Sequence, residues 1–204
     1  MNSAQSNRFN DPAIATRIAQ YELAFRMQMS VPELIDFKDE PKSVLDLYGP
    51  EATKVGKYAY NCLLARRLAE RGVRFIQLYH RGWDAHGNAP KQVATQCHGT
   101  DQPTAALLRD LKQRGMLDDT LVVVIGEFGR TPKINKNAGR DHWPNCYSAV
   151  LAGGGVNGGQ VYGRSDKHAA YVAANPVTPD DFTATIYHAF GLPPETPIYD
   201  QQNR

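Results

Sequence analysis

The chain has 204 residues, enough for one domain with a filled core, and its 23 Lys+Arg against 21 Asp+Glu leave a formal charge of +2. That near-balance gives no electrostatic ground for nucleic acid or an anionic membrane as the main partner. With 42% hydrophobic and 22% charged residues the composition is globular, and no apolar run approaches the roughly 18 residues of a membrane span.

The polar stretch after Met1 lacks the basic and apolar blocks of a secretory signal. It favours the cytoplasm for the polypeptide as written. The stop at Arg204, just past a Pro-rich turn, and the featureless start both read as cut ends. Ile14, Ile18, Tyr21, Leu23, Ala24, Phe25 and Met29 fall mainly on helical spacing, with Asp11-Pro12 as cap and first position and Val31-Pro32 as the close. Residues 31 to 50 carry three prolines and read as a linking arm with one short helix. A clearer helix recurs through Tyr58, Cys62, Leu64, Ala65 and Leu68 and ends at Gly72. This divides the chain into a helical segment and arm, 1–50, and a second part, 51–204.

The period then changes. Val73 to Tyr79 is β-branched and aromatic and predicts a strand directly after the helix. Residues 90 to 114 predict a helix capped by Gly115. Leu121 to Ile125 suits a strand buried on both faces of a parallel sheet. A third strand is expected over Tyr147 to Ala152, a sharp turn at Gly153-Gly154-Gly155, and a further strand near Gln160-Val161-Tyr162. Thr178-Pro179-Asp180 opens a last helix that runs through Phe182, Ile186 and Phe190 to Gly191. The alternation predicts an α/β fold with a mainly parallel sheet.

In such sheets functional groups gather beyond the carboxyl ends of strands. Three polar clusters occupy those positions: residues 79–88 with His80, Arg81, Asp84 and His86; residues 126–132 with Glu127 and Arg130; and residues 139–144 with Arg140, Asp141 and His142. Carboxylates and imidazoles are the donors of an oxygen- and nitrogen-ligated metal site. Asp84 and His86 are two apart, so in extended chain both point to one side. Asp141 and His142 are adjacent and point oppositely, which leaves one direct ligand between them. The same residues also serve as ordinary turn formers, with aspartate capping a backbone amide. His98, His168 and His188 read as filler, and His80 lines the first cluster. Cys62, Cys97 and Cys146 have no clip spacing and read as ordinary thiols.

Together, RGVRFIQLYHRGWDAHGN (71–88), LLRDLKQRGMLDDTLVVVIGEFGRTP (107–132), GRDHWP (139–144) and LAGGGVNGGQVYG (151–163) resemble the bacterial sulfatase-like family named domain of unknown function 1501. That family is similar to the alkaline phosphatase superfamily of sulfatases and phosphatases. The resemblance implies a three-layer α/β/α sandwich, here its C-terminal half, in proteins often exported at full length. It implies a divalent ion (Zn, Mn, Ca or Mg) on Asp84, His86, Glu127 and His142, with one residue between the first two where the superfamily has three. The superfamily's Asp-His at the second position is Glu127-Phe128 here, and Phe128 has no donor. The nucleophile is expected in the missing half, so this fragment is expected to bind metal weakly and to be inactive by itself, and no base stands beside Thr131 in the sequence.

The implied activity is hydrolysis of sulfate or phosphate esters, small or on a polysaccharide. Arg81, Arg130 and Arg140 would bind the anion, and Asp141 and His80 would support the ligands. The competing expectations are a sulfatase-like domain that binds a ligand or partner without turnover, and a chain with a structural metal alone.

Overall fold

A computed structural model describes residues 12–193, 195–197, 199–200 and 202. Asp11 and the Met29 side chain, both used in reading the first helix, lie outside the described residues. That helix, α1 (Pro12–Ile35), starts at the expected proline but runs through Pro32 instead of closing there. Packing beyond the proline overrides its helix-breaking tendency. Leu34 and Phe37 are buried, Arg67 donates to the Glu33 carbonyl at 2.6 Å, and the Asp36 N–H closes the last turn onto Pro32 O at 3.2 Å.

The arm holds its one short helix, α2 (Lys42–Tyr48), followed by α3 (Tyr58–Glu70) and α4 (Ala89–Gln113). Gly72, with φ of +78°, takes the left-handed turn that ends α3. On α4 the buried positions Pro103, Ala106, Leu107, Asp110 and Leu111 recur at three- and four-residue steps, giving one inward stripe. It meets Tyr60, Cys62 and Leu63 of α3 and Tyr48 of α2 in a single core that also takes in Phe37 and Ala52. Leu63 is fully buried, and such a side chain contributes about 1.5–3 kcal/mol.

The core also encloses charge. Arg66, 2% exposed, meets Glu40 and Glu70 at 2.6 Å each and Asp110 at 3.0 Å. Asp110 accepts from Tyr48 Oη at 3.0 Å and Arg114 Nε at 2.7 Å. Burial and this carboxylate push the Tyr48 hydroxyl far above its usual range. Arg66 Nε and Nη2 reach their carboxylates at ion-pair distance but off the hydrogen-bond line.

The three-layer sandwich with a mainly parallel sheet is not found. Among the described residues the strands form three antiparallel pairs: β1 (Val122–Val124) with β4 (Val150–Ala152), β2 (Gly129–Arg130) with β3 (His142–Trp143), and β5 (Arg164–Ser165) with β6 (Val172–Ala174). Val73 to Tyr79 is no strand, because residues 74–82 make no backbone hydrogen bond among the described residues. Leu121 to Ile125 does form a strand over Val122–Val124, yet Val124 and Ile125 are exposed rather than buried on both faces. The last expected strand falls later, at Arg164 rather than Gln160 to Tyr162. An apolar run identifies extended chain but carries no information on its pairing partner or direction, and here the pairing is local and antiparallel. The final helix, α5 (Pro179–Ala189), has the expected Thr178 cap, reinforced by reciprocal bonds with Asp181.

Candidate metal centre

Two loops make the site. The first, residues 81–88, leads into α4; the second, 131–141, joins β2 to β3. They are laced together by backbone bonds: Arg140 N–H to Ala85 O at 2.9 Å, Asn88 N–H to Asn137 O at 2.9 Å, and Ala89 N–H to Ala138 O at 2.8 Å. Ala85 is 2% exposed while Asp84 and His86 are exposed on either side of it. Two tight turns, Ala85 N–H to Trp83 O at 2.9 Å and His86 N–H to Asp84 O at 3.0 Å, leave both side chains outward together, and they touch at 3.0 Å (Asp84 Oδ1 to His86 Nε2).

The third member arrives from β3. His142 Nε2 stands 2.8 Å from Asp84 Oδ1 and 3.1 Å from His86 Nε2. The ligand atoms of Asp84, His86 and His142 all lie within 4.8 Å of one another. Ligands on one ion at about 2.0–2.2 Å sit roughly 2.8–3.6 Å apart, so these spacings suit one shared ion. The donor set of two imidazole nitrogens and a carboxylate oxygen fits a borderline divalent cation.

Asp141 does not face the centre. Its Oδ1 lies 2.8 Å from His86 Nδ1. Taking the Nδ1 proton leaves Nε2 of a neutral ring as a lone pair turned toward Asp84 and His142. The supporting carboxylate thus serves His86 across the loops, not its sequence neighbour His142. The His86 hydrogen bond and then Asn135 hold the Asp141 carboxyl below its ordinary range. Hydrogen bonds from His142 and then Arg130 bring Asp84 down to about 2.

The other expected site residues separate. Arg130 joins the cluster, its Nη2 2.8 Å from Asp84 Oδ1. Arg140 donates to Thr131 O at 3.1 Å and braces the loop. Arg81 is exposed and makes no side-chain hydrogen bond or ion pair among the described residues. Glu127 is exposed and outside the group of three. His80 lies elsewhere: its Nδ1 accepts from Trp83 Nε1 at 3.0 Å, its ring packs edge-on to Tyr58, and burial lowers its pKa. His98, His168 and His188 are exposed and apart.

Two contributors escaped the sequence reading. Asn135 Nδ2 donates to Asp141 Oδ1 and His86 O, both at 3.0 Å, while its Oδ1 accepts from the Asn137 and Gly139 N–H groups at 2.9 Å each. An asparagine four residues before a glycine, inside a loop, was the available signal. Phe128, read as a lost ligand, packs its ring 4.4 Å from that of His142.

Helical core and loop cluster together describe a helix-rich protein presenting a surface carboxylate–imidazole centre, held in place by a second carboxylate. The chain belongs to the family described as Protein of unknown function (DUF1501), which matches residues 1–204. Comparison with curated proteins and with solved structures gives no match. No helix among the described residues is long and apolar enough to cross a membrane.

Proposed function

We propose that Asp84, His86 and His142 hold one divalent metal ion, and that the centre serves hydrolysis of a phosphate or sulfate ester. The observation that carries the reading is the convergence of Asp84 Oδ1, His86 Nε2 and His142 Nε2, with Asp141 behind His86. The motif resemblance to sulfatase-like proteins supplies the ester chemistry. Two imidazoles favour Zn or Mn over Ca or Mg, which prefer all-oxygen shells. A bound ion would acidify water and stabilise charge on the transferred group. The chain's own part is to orient the ligands, through Asp141, Asn135 and Phe128, and to place the Arg130 guanidinium beside them for an anionic small-molecule or polysaccharide ester.

A second reading, a domain that binds such a ligand without turnover, is supported by Thr131. Its hydroxyl donates to Lys133 O at 2.9 Å and accepts the Asp141 N–H at 3.0 Å, so it is committed to the loop and not offered as a nucleophile.

The test is metal content of the purified chain and of Asp141→Ala, with turnover of an aryl phosphate and an aryl sulfate. Stoichiometric Zn or Mn, weakened about 10–100-fold by the substitution, is expected. A chain that binds neither ion rejects the metal centre. Turnover of either ester, lost with a chelator, rejects the second reading.

A further inference from the structure

Arg130 and the metal ligands compete for a single atom. Asp84 Oδ1 meets Arg130 Nη2 at 2.8 Å, His142 Nε2 at 2.8 Å and His86 Nε2 at 3.0 Å. The other Asp84 oxygen has no partner among the described residues. The guanidinium therefore occupies the oxygen that an ion shared with both imidazoles would use.

Its position is not accidental to a floppy side chain. Arg130 is paired directly across the β2–β3 ladder with His142, so the backbone fixes the two side by side. Its guanidinium carbon lies 5.8 Å over the Phe128 ring, which also packs against the His142 ring. Among the described residues its second terminal nitrogen reaches only the Arg140 carbonyl, at a long 3.4 Å. The fork is thus anchored near the centre but weakly held at one tine.

Charge completes the argument. With neutral imidazoles, Asp84, Asp141 and Arg130 leave the cluster one negative charge, which repels an anion. A divalent ion reverses the sign to one positive charge. It also takes Asp84 Oδ1 from Arg130 and leaves a planar, bidentate donor unpaired beside the ion. We propose that metal uptake gates oxyanion binding here: Arg130 stands in for the cation in the metal-free protein and becomes the clamp for a tetrahedral oxyanion, phosphate or sulfate, once metal is bound. The proposal rests on the metal reading above and adds to it an obligatory order, metal before anion, with reciprocal coupling between the two.

The experiment measures Zn²⁺ binding by equilibrium dialysis and then binding of radiolabelled inorganic phosphate or sulfate, at concentrations below precipitation, to the full chain. Wild type is compared with Arg130→Gln and Arg130→Lys, each checked by circular dichroism. Metal-free wild type should bind neither anion, and the Zn-loaded form should bind one. Arg130→Gln should bind Zn²⁺ at least as tightly as wild type and lose anion affinity at least tenfold; Arg130→Lys should lose less. Should Arg130→Gln fail to fold, Arg130→Lys, which keeps the charge and stem but not the planar fork, carries the comparison. Equal anion binding with and without Zn²⁺, no anion binding to the Zn-loaded wild type, or variants that match wild type would overturn the gate while leaving the metal centre standing. A wild type that binds neither Zn²⁺ nor Mn²⁺ removes both.

Discussion

Gly139 lies so close to His86 that a Cβ on it would stand 1.9 Å from the His86 carbonyl oxygen and 2.0 Å from its carbon. The obstacle is backbone, which cannot swing aside as a side chain does. This contact is what lets the 131–141 loop press on the 81–88 loop and bring His142 and Asp141 to His86. Gly139→Ala should therefore push the loops apart and cut Zn²⁺ affinity at least tenfold. The α2–α3–α4 core lies elsewhere, so its helical circular dichroism should be unchanged. Wild-type affinity in the variant would show that the close approach is dispensable.

His142→Ala should abolish stoichiometric metal and leave the fold intact, since the half-exposed ring buries little surface. His98→Ala and His188→Ala, on exposed positions of α4 and α5, should bind as wild type. Metal content and circular dichroism measured on the same samples decide it. Unchanged occupancy in the His142 variant rejects the ligand role.

Burial pushes the Cys62 thiol from its ordinary 9.0 up to about 12, and the Tyr58 hydroxyl from 10.0 up to about 12. Both groups hold their protons more tightly folded than unfolded. Their contribution is full below about pH 9 and is lost as pH rises toward 12. The urea midpoint should fall across that window and not between pH 7 and 9. At pH 8 a thiol reagent should modify Cys97 and Cys146, which are partly exposed, and spare Cys62 until the chain unfolds. Rapid labelling of Cys62 in the native protein contradicts this.

Asp110→Ala should destabilise the chain by about 1–3 kcal/mol, because it unpairs the buried Tyr48 hydroxyl and removes one of the three carboxylates around the buried Arg66, which keeps Glu40 and Glu70. Chemical denaturation reads the loss. Asp46→Ala, whose only side-chain partner among the described residues is exposed Lys42, should cost about 0–1 kcal/mol. Equal losses in the two variants would mean that the buried network contributes no more than a surface pair.

The helices were legible because each carried its own signals. Pro179 with Thr178 marked the start of α5, Gly72 and Gly115 marked ends, and the three- and four-residue recurrence marked the buried faces of α3 and α4. The site was legible in part. Spacing around Ala85 placed Asp84 and His86 on one side, and adjacency separated Asp141 from His142. Glu127 looked equivalent to these residues because only motif position spoke for it, and nothing local draws it to the cluster.

The sequence by itself determined the helical elements, the glycine-bounded loops and the pairing of Asp84 with His86. These rest on contacts within a few residues, where backbone geometry leaves few choices. Only the tertiary structure decided that the strands pair antiparallel in short ladders, that Asp141 supports His86 from 55 residues away, and that Arg130 shares an oxygen with two histidines. Each of these depends on which distant segments meet, and hydrophobic periodicity carries no record of a partner's identity.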